Sequence, residues 1–344
     1  MSDALTPLIE RHRAFWSRAE AGPALVGTSL WPETTTRHFD WGLPGPEGAI
    51  EPDMLSVERF LPQYVAQFEA HGVHDGDMIW SAMPPLAVPW FEAVVGCRPH
   101  YSIPAGSMSG EPVSGDWTTF DPVTALEDNP WLRKLLEFTE GLVEVSRGRF
   151  PVGVPIGRGP WDVASAYLGM STVYLELYDH PREMGQLAAK FAEVWIEVMR
   201  RIERIIPPWR GGYVDRFGLW APEFTTVPQD DASVSVSQAM YGQVMAAADR
   251  EITQAWPSAL FHLHSAGLQV ADEVAAFLGD RALNVVLDPT GPSIPNLLPV
   301  FRRLQAAGVP LHVMVFSRAD ATALTASLEP RGLAIQHQPP DMTR

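Results

Sequence analysis

Two histidines one residue apart, His262 and His264 in ALFHLHSAGL, are the strongest chemical signal in this chain. In an extended strand residues two apart share a face, so both imidazoles point to the same side. A lone histidine in an apolar strand is ordinarily a satisfied core residue, whereas two on one face each need a polar partner. Such a pair can ligate a metal, or one ring can act as acid or base while the other is structural. Upstream, DDASVSVSQAMY supplies Asp230, Asp231 and Tyr241. Either aspartate can cap the turn that follows it or face substrate or metal. Adjacent carboxylates point different ways, so only one of them is expected in the site. Tyr241 can turn its hydroxyl inward or simply pack. These five residues are the catalytic candidates, and His262 and His264 are the metal-ligand candidates. Candidates for holding a substrate are Arg158 in PIGRGP, Asp215, Arg216 and Trp220 in YVDRFGLW, Trp80 in GDMIWSAMPP, and Asp288 at the end of NVVLD.

Composition narrows the partners. The 344 residues are 46% hydrophobic and 19% charged, enough apolar material for a large core. Asp and Glu number 41 against 25 Lys and Arg, a formal net charge of −16. Nucleic acid is excluded by the lack of clustered cations, and an anionic membrane surface is disfavoured. Cys97 is the sole cysteine, so neither an intrachain disulfide nor a thiolate cage for zinc can form. The start, MSDALTPLIERHRAFW, reads as an amphipathic helix capped by Ser2 or Asp3 and lacks the apolar core of a signal peptide. With no run long enough to span a membrane, a cytoplasmic protein is expected.

The elements that must position these residues alternate. Strand-like runs occur at Ala24 to Trp31, Gly76 to Pro85, Phe150 to Pro160, Gly211 onward, Ala259 to His264, Ala282 to Pro292, Val309 to Phe316 and Gly332 to Gln338. Helical patterns separate them, at Leu8 to Glu20, Ser56 to His71, Trp131 to Arg147, Glu183 to Ile206, Ile294 to Ala307 and Asp320 to Leu328. The segments 32–52 and 102–130 have little periodicity and read as a loop and an excursion over the core. About eight strands alternating with helices predict an α/β fold, a single closed (β/α)8 TIM barrel with an N-terminal helical and loop extension, spanning 1–344 as one domain. In such a barrel the site lies at the C-terminal strand ends. Asp215 to Trp220 would end one strand, His262 and His264 another, Asp288 a third and Arg158 a fourth, while His312 sits early in its strand and reads as structural. The glycines around Arg158 match neither the dinucleotide fingerprint nor the P-loop.

The motifs GDMIWSAMPPLAVPWFEAVVGC, PVGVPIGRGPWDVASAYLGM with LYDHPREM, and DDASVSVSQAMY followed by FHLHSAG resemble the uroporphyrinogen decarboxylase superfamily, within it the corrinoid-dependent methyltransferase-like branch. The resemblance spans about Gly76 to Gly332 and implies a single barrel with its site at the strand C-termini. The decarboxylases of that superfamily carry an arginine-rich N-terminal motif; here VGTSLWPETTTRHFDWG offers only Arg37. The methyltransferases hold zinc through a His-x-Cys pair and a distant Cys. Here His262-Leu263-His264 stands in that place with nitrogen for sulfur, and no distant Cys follows. The resemblance thus implies a methyltransferase-like enzyme moving a methyl group between a small substrate and a corrinoid or thiol carrier, the corrinoid on a partner protein, with zinc or another divalent metal at the histidines. A metal-free decarboxylase or lyase of a small carboxylated substrate is the alternative on the same fold. A small-molecule binding protein without catalysis is the alternative in another class.

Overall fold

The computed structural model describes residues 5–19, 22–29 and 39–339. The expected Ser2 or Asp3 cap and Arg37 lie outside them. At the centre is one parallel sheet of eight segments: β1 (Leu25–Thr28), β2 (Gly157–Arg158), β3 (Thr225–Thr226), β4 (Pro228–Gln229), β5 (Ser258–His264), β6 (Ala282–Val286), β7 (Leu311–Val315) and β8 (Leu333–His337). Their order is β1-β8-β7-β6-β5-β4-β2, with β3 also on β5. The main helices are α1 (Thr6–Ser17), α2 (Val57–His71), α3 (Pro130–Ser146), α4 (Pro160–Leu168), α5 (Pro181–Glu203), α6 (Ala246–Gln254), α7 (Ala271–Leu278), α8 (Ile294–Ala306) and α9 (Arg318–Ser327). α3, α4 and α5 each begin on a proline, whose fixed φ suits the first helical turn and whose missing N–H is not needed there. Among the described residues no helix is long and apolar enough to cross a membrane.

Alternation along the strands separates two cores. In β5, Phe261 and Leu263 face the helices and join the large outer cluster, while Leu260 faces inward with Leu25, Ala282, Val286 and Ala334. His262 and His264 share the parity of Leu260 and so stand on the inner face. By the same rule Asn284, Val286 and Asp288 follow Ala282 inward.

The architecture is TIM-like, with one departure from the expected ring. Among the described residues no ladder joins β1 to β2. The gap is spanned by the segment 76–82, through Asp77 N–H to Val26 O at 3.0 Å on one side and Gly153 N–H to Ala82 O at 2.8 Å on the other. The run 76–85, expected as a full strand, keeps only Met78–Ile79, in a short hairpin with His74–Asp75.

The cause is an insertion. Tyr213–Val214 pairs antiparallel with Trp220–Ala221, and the intervening turn enters the inner core, where Phe217 and Leu219 pack. Ile79 N–H donates to Gly218 O at 3.0 Å and so is not spent on β1. Gly218 has φ +85°, and a Cβ there would meet Ile79 O at 2.8 Å, so only glycine fits. The expectation that Asp215 to Trp220 forms a strand C-terminus is thereby corrected. This stretch is a plug on the side of α1, whose Trp16 Nε1 donates to Trp220 O at 2.8 Å, and the strand proper is β3 to β4, which follows it. The expected loop 32–52 and excursion 102–130 each contribute one strand, Glu47–Ala49 and Ser107–Glu111, to an antiparallel sheet centred on Arg98–Ser102.

Candidate metal centre

Parity decides between the two adjacent aspartates. Gln229 is in register with His262 on one side and Arg158 on the other, and Asp231, two residues further along, turns to the same inner side. One ligand atom each from Asp231, His262 and His264 lie within 4.8 Å of one another. His264 Nε2 stands 3.6 Å from Asp231 Oδ1.

Each of the three is held by a second polar side chain. His264 Nδ1 meets Asp288 Oδ1 at 2.6 Å. An ionised carboxylate only accepts, so Nδ1 carries a proton, and Nε2 is the nitrogen turned towards Asp231. Asp288 is itself fixed, its Oδ2 accepting from Ser265 Oγ at 3.0 Å and from Ala266 N–H at 3.1 Å. Burial would raise the Asp288 pKa, but the hydrogen bonds from His264, Ala266 and Ser265 hold it below the ordinary carboxylate value. His262 Nδ1 faces Asn284 Oδ1, and Asn284 Nδ2 faces His312 Nδ1. Gln229 Nε2 donates to Asp231 Oδ2. The other oxygen, Asp231 Oδ1, is buried with no hydrogen-bond partner among the described residues.

Electrostatics favour ligation. Burial pushes His262 down to about 4; the charges of His264 and Arg216 lower it further, and that of Asp231 opposes them. The ring is therefore neutral at physiological pH, the form that can donate a lone pair. Two imidazoles and a carboxylate oxygen left unpaired are the nitrogen and oxygen donor set of a borderline divalent cation such as zinc, and the arrangement fits one.

Beside Asp231 opens a cavity of about 330 Å³ lined by Arg158, Asp162, Ser165, Met170 and Ser109. Arg158 donates from Nη1 to the buried Glu92 Oε1 at 2.7 Å, and that charge first of all raises the Arg158 pKa. Asp162, at the start of α4, accepts from the N–H groups of Asp231 and Ala232, both at 2.9 Å, and so fixes the backbone of the ligand. Its own pKa is driven well up by burial and by the charges of Asp231 and Asp230.

The remaining sequence-selected residues stand elsewhere. Asp230 points into the helix layer, where it hydrogen-bonds Asp249 of α6; burial first, then Asp249, raises its pKa, and burial lifts Asp249 itself to about 7. Tyr241 is fully buried and donates to Asp249 Oδ2 at 2.8 Å, so neither Asp230 nor Tyr241 faces the cavity. Trp80 packs between α2 and Phe150, its ring 5.2 Å from that of Phe150, which removes it from any substrate surface. Trp220 lies under Arg13 of α1, whose guanidinium carbon is 4.5 Å from its ring, on the face of the sheet bearing α1. Asp215 caps its own turn, accepting from Phe217 N–H at 2.8 Å and Leu219 N–H at 3.0 Å. Burial and local hydrogen bonding occupy these five side chains, and the structure does not bring them to the cavity beside Asp231. Arg216 is buried beside Phe217, near enough to His262 to influence it.

Residues that escaped the sequence reading are Gln229, Asn284, Asp162 and Glu92. Asn284 carried a usable signal, since it lies on the inward parity of a strand that already bore a candidate, whereas Gln229 sits in a segment that does not read as a strand. Asp162 and Glu92 carried none, being placed by helices folded back from far along the chain.

No protein-family model matches the sequence, and no curated protein does. Among solved structures, the fold is similar to that of a methyltransferase from Methanosarcina mazei, with TM-score 0.54 and 13% identity over 89% of this chain and 91% of that one. At that identity the likeness establishes a shared architecture.

Proposed function

We propose that this chain is a divalent-metal-dependent, methyltransferase-like enzyme acting on a small molecule at the Asp231, His262 and His264 centre, with a corrinoid on a separate protein as the methyl carrier. The observation that carries the metal reading is the buried Asp231 Oδ1, without a hydrogen-bond partner among the described residues, set among two oriented imidazoles. Support for methyl transfer comes from the motif resemblance and the shared architecture.

A divalent ion bound there supplies Lewis acidity towards a nucleophile or leaving group. With nitrogen and oxygen donors in place of thiolates it is harder and more acidic, which favours an oxygen or nitrogen atom of the substrate over sulfur. The chain's own residues do the rest. Asp288, Gln229 and Asn284 fix the three donors, and the inner apolar side chains Val286 and Phe217 keep water from beneath them. Arg158, neutralised by Glu92, and Asp162 line the cavity that receives the body of the substrate.

Metal analysis of the purified protein tests this reading. About one zinc or other divalent ion per chain is expected, lost in His264→Ala and Asp231→Ala. The loaded wild type should demethylate methylcobalamin in the presence of a small hydroxy or amino acceptor. A metal-free protein that releases CO2 from a small carboxylic acid would establish the decarboxylase instead. A metal-free protein without turnover that still binds a small molecule would establish the binding protein.

A further inference from the structure

The inner face carries one polar row across three strands. Register pairs His262 with Asn284 and Asn284 with His312, so three side chains from β5, β6 and β7 stand abreast. Both contacts within the row are 2.5 Å, His262 Nδ1 to Asn284 Oδ1 and Asn284 Nδ2 to His312 Nδ1. All three residues are buried, His262 at 4% exposure and the others at 0%.

An amide is asymmetric, because its oxygen only accepts and its nitrogen only donates. The two neutral histidines must therefore differ. His262, facing the oxygen, carries its proton on Nδ1 and leaves the Nε2 lone pair for the metal site. His312, facing the nitrogen, accepts at Nδ1 and carries its proton on Nε2, a buried atom with no hydrogen-bond partner among the described residues. Phe217 lies against both rings, at 5.6 Å from His262 and nearly parallel to it, and at 5.3 Å from His312, so neither imidazole is free to turn over.

We infer that Asn284 is a positioning residue that sets the tautomer of His262, and that His312, two strands from the site, is the partner that takes up the amide nitrogen in that arrangement. This rests on the metal reading above. The amide must aim its oxygen at His262 for Nε2 to bind a cation, and His312 meets that orientation by accepting at Nδ1. A reversed amide would donate to His262 Nδ1 and place the His262 proton on Nε2, closing the site to metal. The unpaired Nε2–H of His312 is the counterpart of a competent ligand set.

Cobalt(II) titration and nitrogen NMR of histidine-labelled protein test this together. In the metal-free wild type, His262 should show a protonated Nδ1 and an unprotonated Nε2, and His312 the reverse. Asn284→Leu and His312→Leu should each weaken cobalt(II) binding roughly 10- to 100-fold, the range for partners that orient ligands from behind. Asn284→Asp, which keeps an acceptor for the Nδ1 proton, should stay within a few-fold of wild type. His312→Gln, which keeps an acceptor for the amide, should be affected less than His312→Leu. Circular dichroism identifies variants that have not folded, and for those the conservative substitutions and the wild-type spectrum decide. A His262 proton on Nε2 in the wild type, or unchanged cobalt(II) affinity in folded Asn284→Leu, would overturn the inference. A wild type that takes up no cobalt(II) would instead overturn the metal reading while leaving the tautomer measurement intact.

Discussion

Asp215→Asn should make the protein more stable at alkaline pH and slightly less stable at acid pH. The Asp215 carboxyl is fully buried in the plug, and burial pushes its pKa from 3.8 up to about 7 against the opposing hydrogen bonds from Leu219 and Phe217. Between about pH 4 and pH 7 the folded protein thus holds a proton that the unfolded chain has released. Stability contributed by the neutral carboxyl is complete below the unfolded pKa and falls as pH rises through the window. A difference of about 3 in pKa at about 1.4 kcal/mol each puts the cost of ionising the buried group near 4 kcal/mol. Asparagine keeps the acceptor used by the two N–H groups and removes the charge. Its NH2 occupies the place of Oδ2, which is buried and has no hydrogen-bond partner among the described residues, at a cost of about 1–2 kcal/mol. The variant should therefore be about 1 kcal/mol less stable than wild type near pH 3.5, about equal to it at pH 5 and about 2–3 kcal/mol more stable at pH 8.5. Urea unfolding at these pH values measures this, and because the difference between the proteins is taken, other titrating groups cancel. A difference that keeps the same sign and size at all of them would refute the assignment of a proton to Asp215.

Three further outcomes follow from the geometry. Gly159→Ala would drive a Cβ to 2.2 Å from Gln229 O, so it should destabilise by about 1–3 kcal/mol in urea melts and, by displacing Gln229, weaken metal binding. Buried His12 is held down at about 4, so the stability of its neutral ring is present above pH 6.5 and lost as pH falls towards 4; His12→Gln should remove about 3 kcal/mol of that acid loss in a pH series of unfolding curves. The Cys97 thiol, pushed up to about 12 by burial and by Glu92, should react with a disulfide reagent at pH 8 roughly 100-fold or more slowly in the native protein than in urea, as followed by absorbance.

The strands β5 to β8 were legible because each is a short apolar run bounded by turn residues, and the shared face of His262 and His264 follows from parity alone. The choice between Asp230 and Asp231 was not legible, because it depends on where the strand begins, and YVDRFGLW looks more strand-like than the Thr225 to Gln229 segment that succeeds it. A hydrophobic hairpin that folds into a barrel has the same alternation as a wall strand. Only its partner reveals it, and that partner, Ile79, is more than a hundred residues away. The same holds for the supporting row: Asn284 acquires its role from register with His262 and His312, which no local pattern encodes.

The plug also separates two jobs that most barrels give to the same residues. His262 and His264 stand on a strand tied to its neighbours by a continuous ladder and Asp231 follows the end of another, whereas the surface beneath them, Phe217, arrives on a hairpin outside that ladder. Exchanging the side chain at 217 would raise or lower the bottom of the chamber under the histidines without cutting a single strand-to-strand bond. The candidate site is thus built like a vessel whose base is carried by one hairpin and whose wall is carried by the sheet.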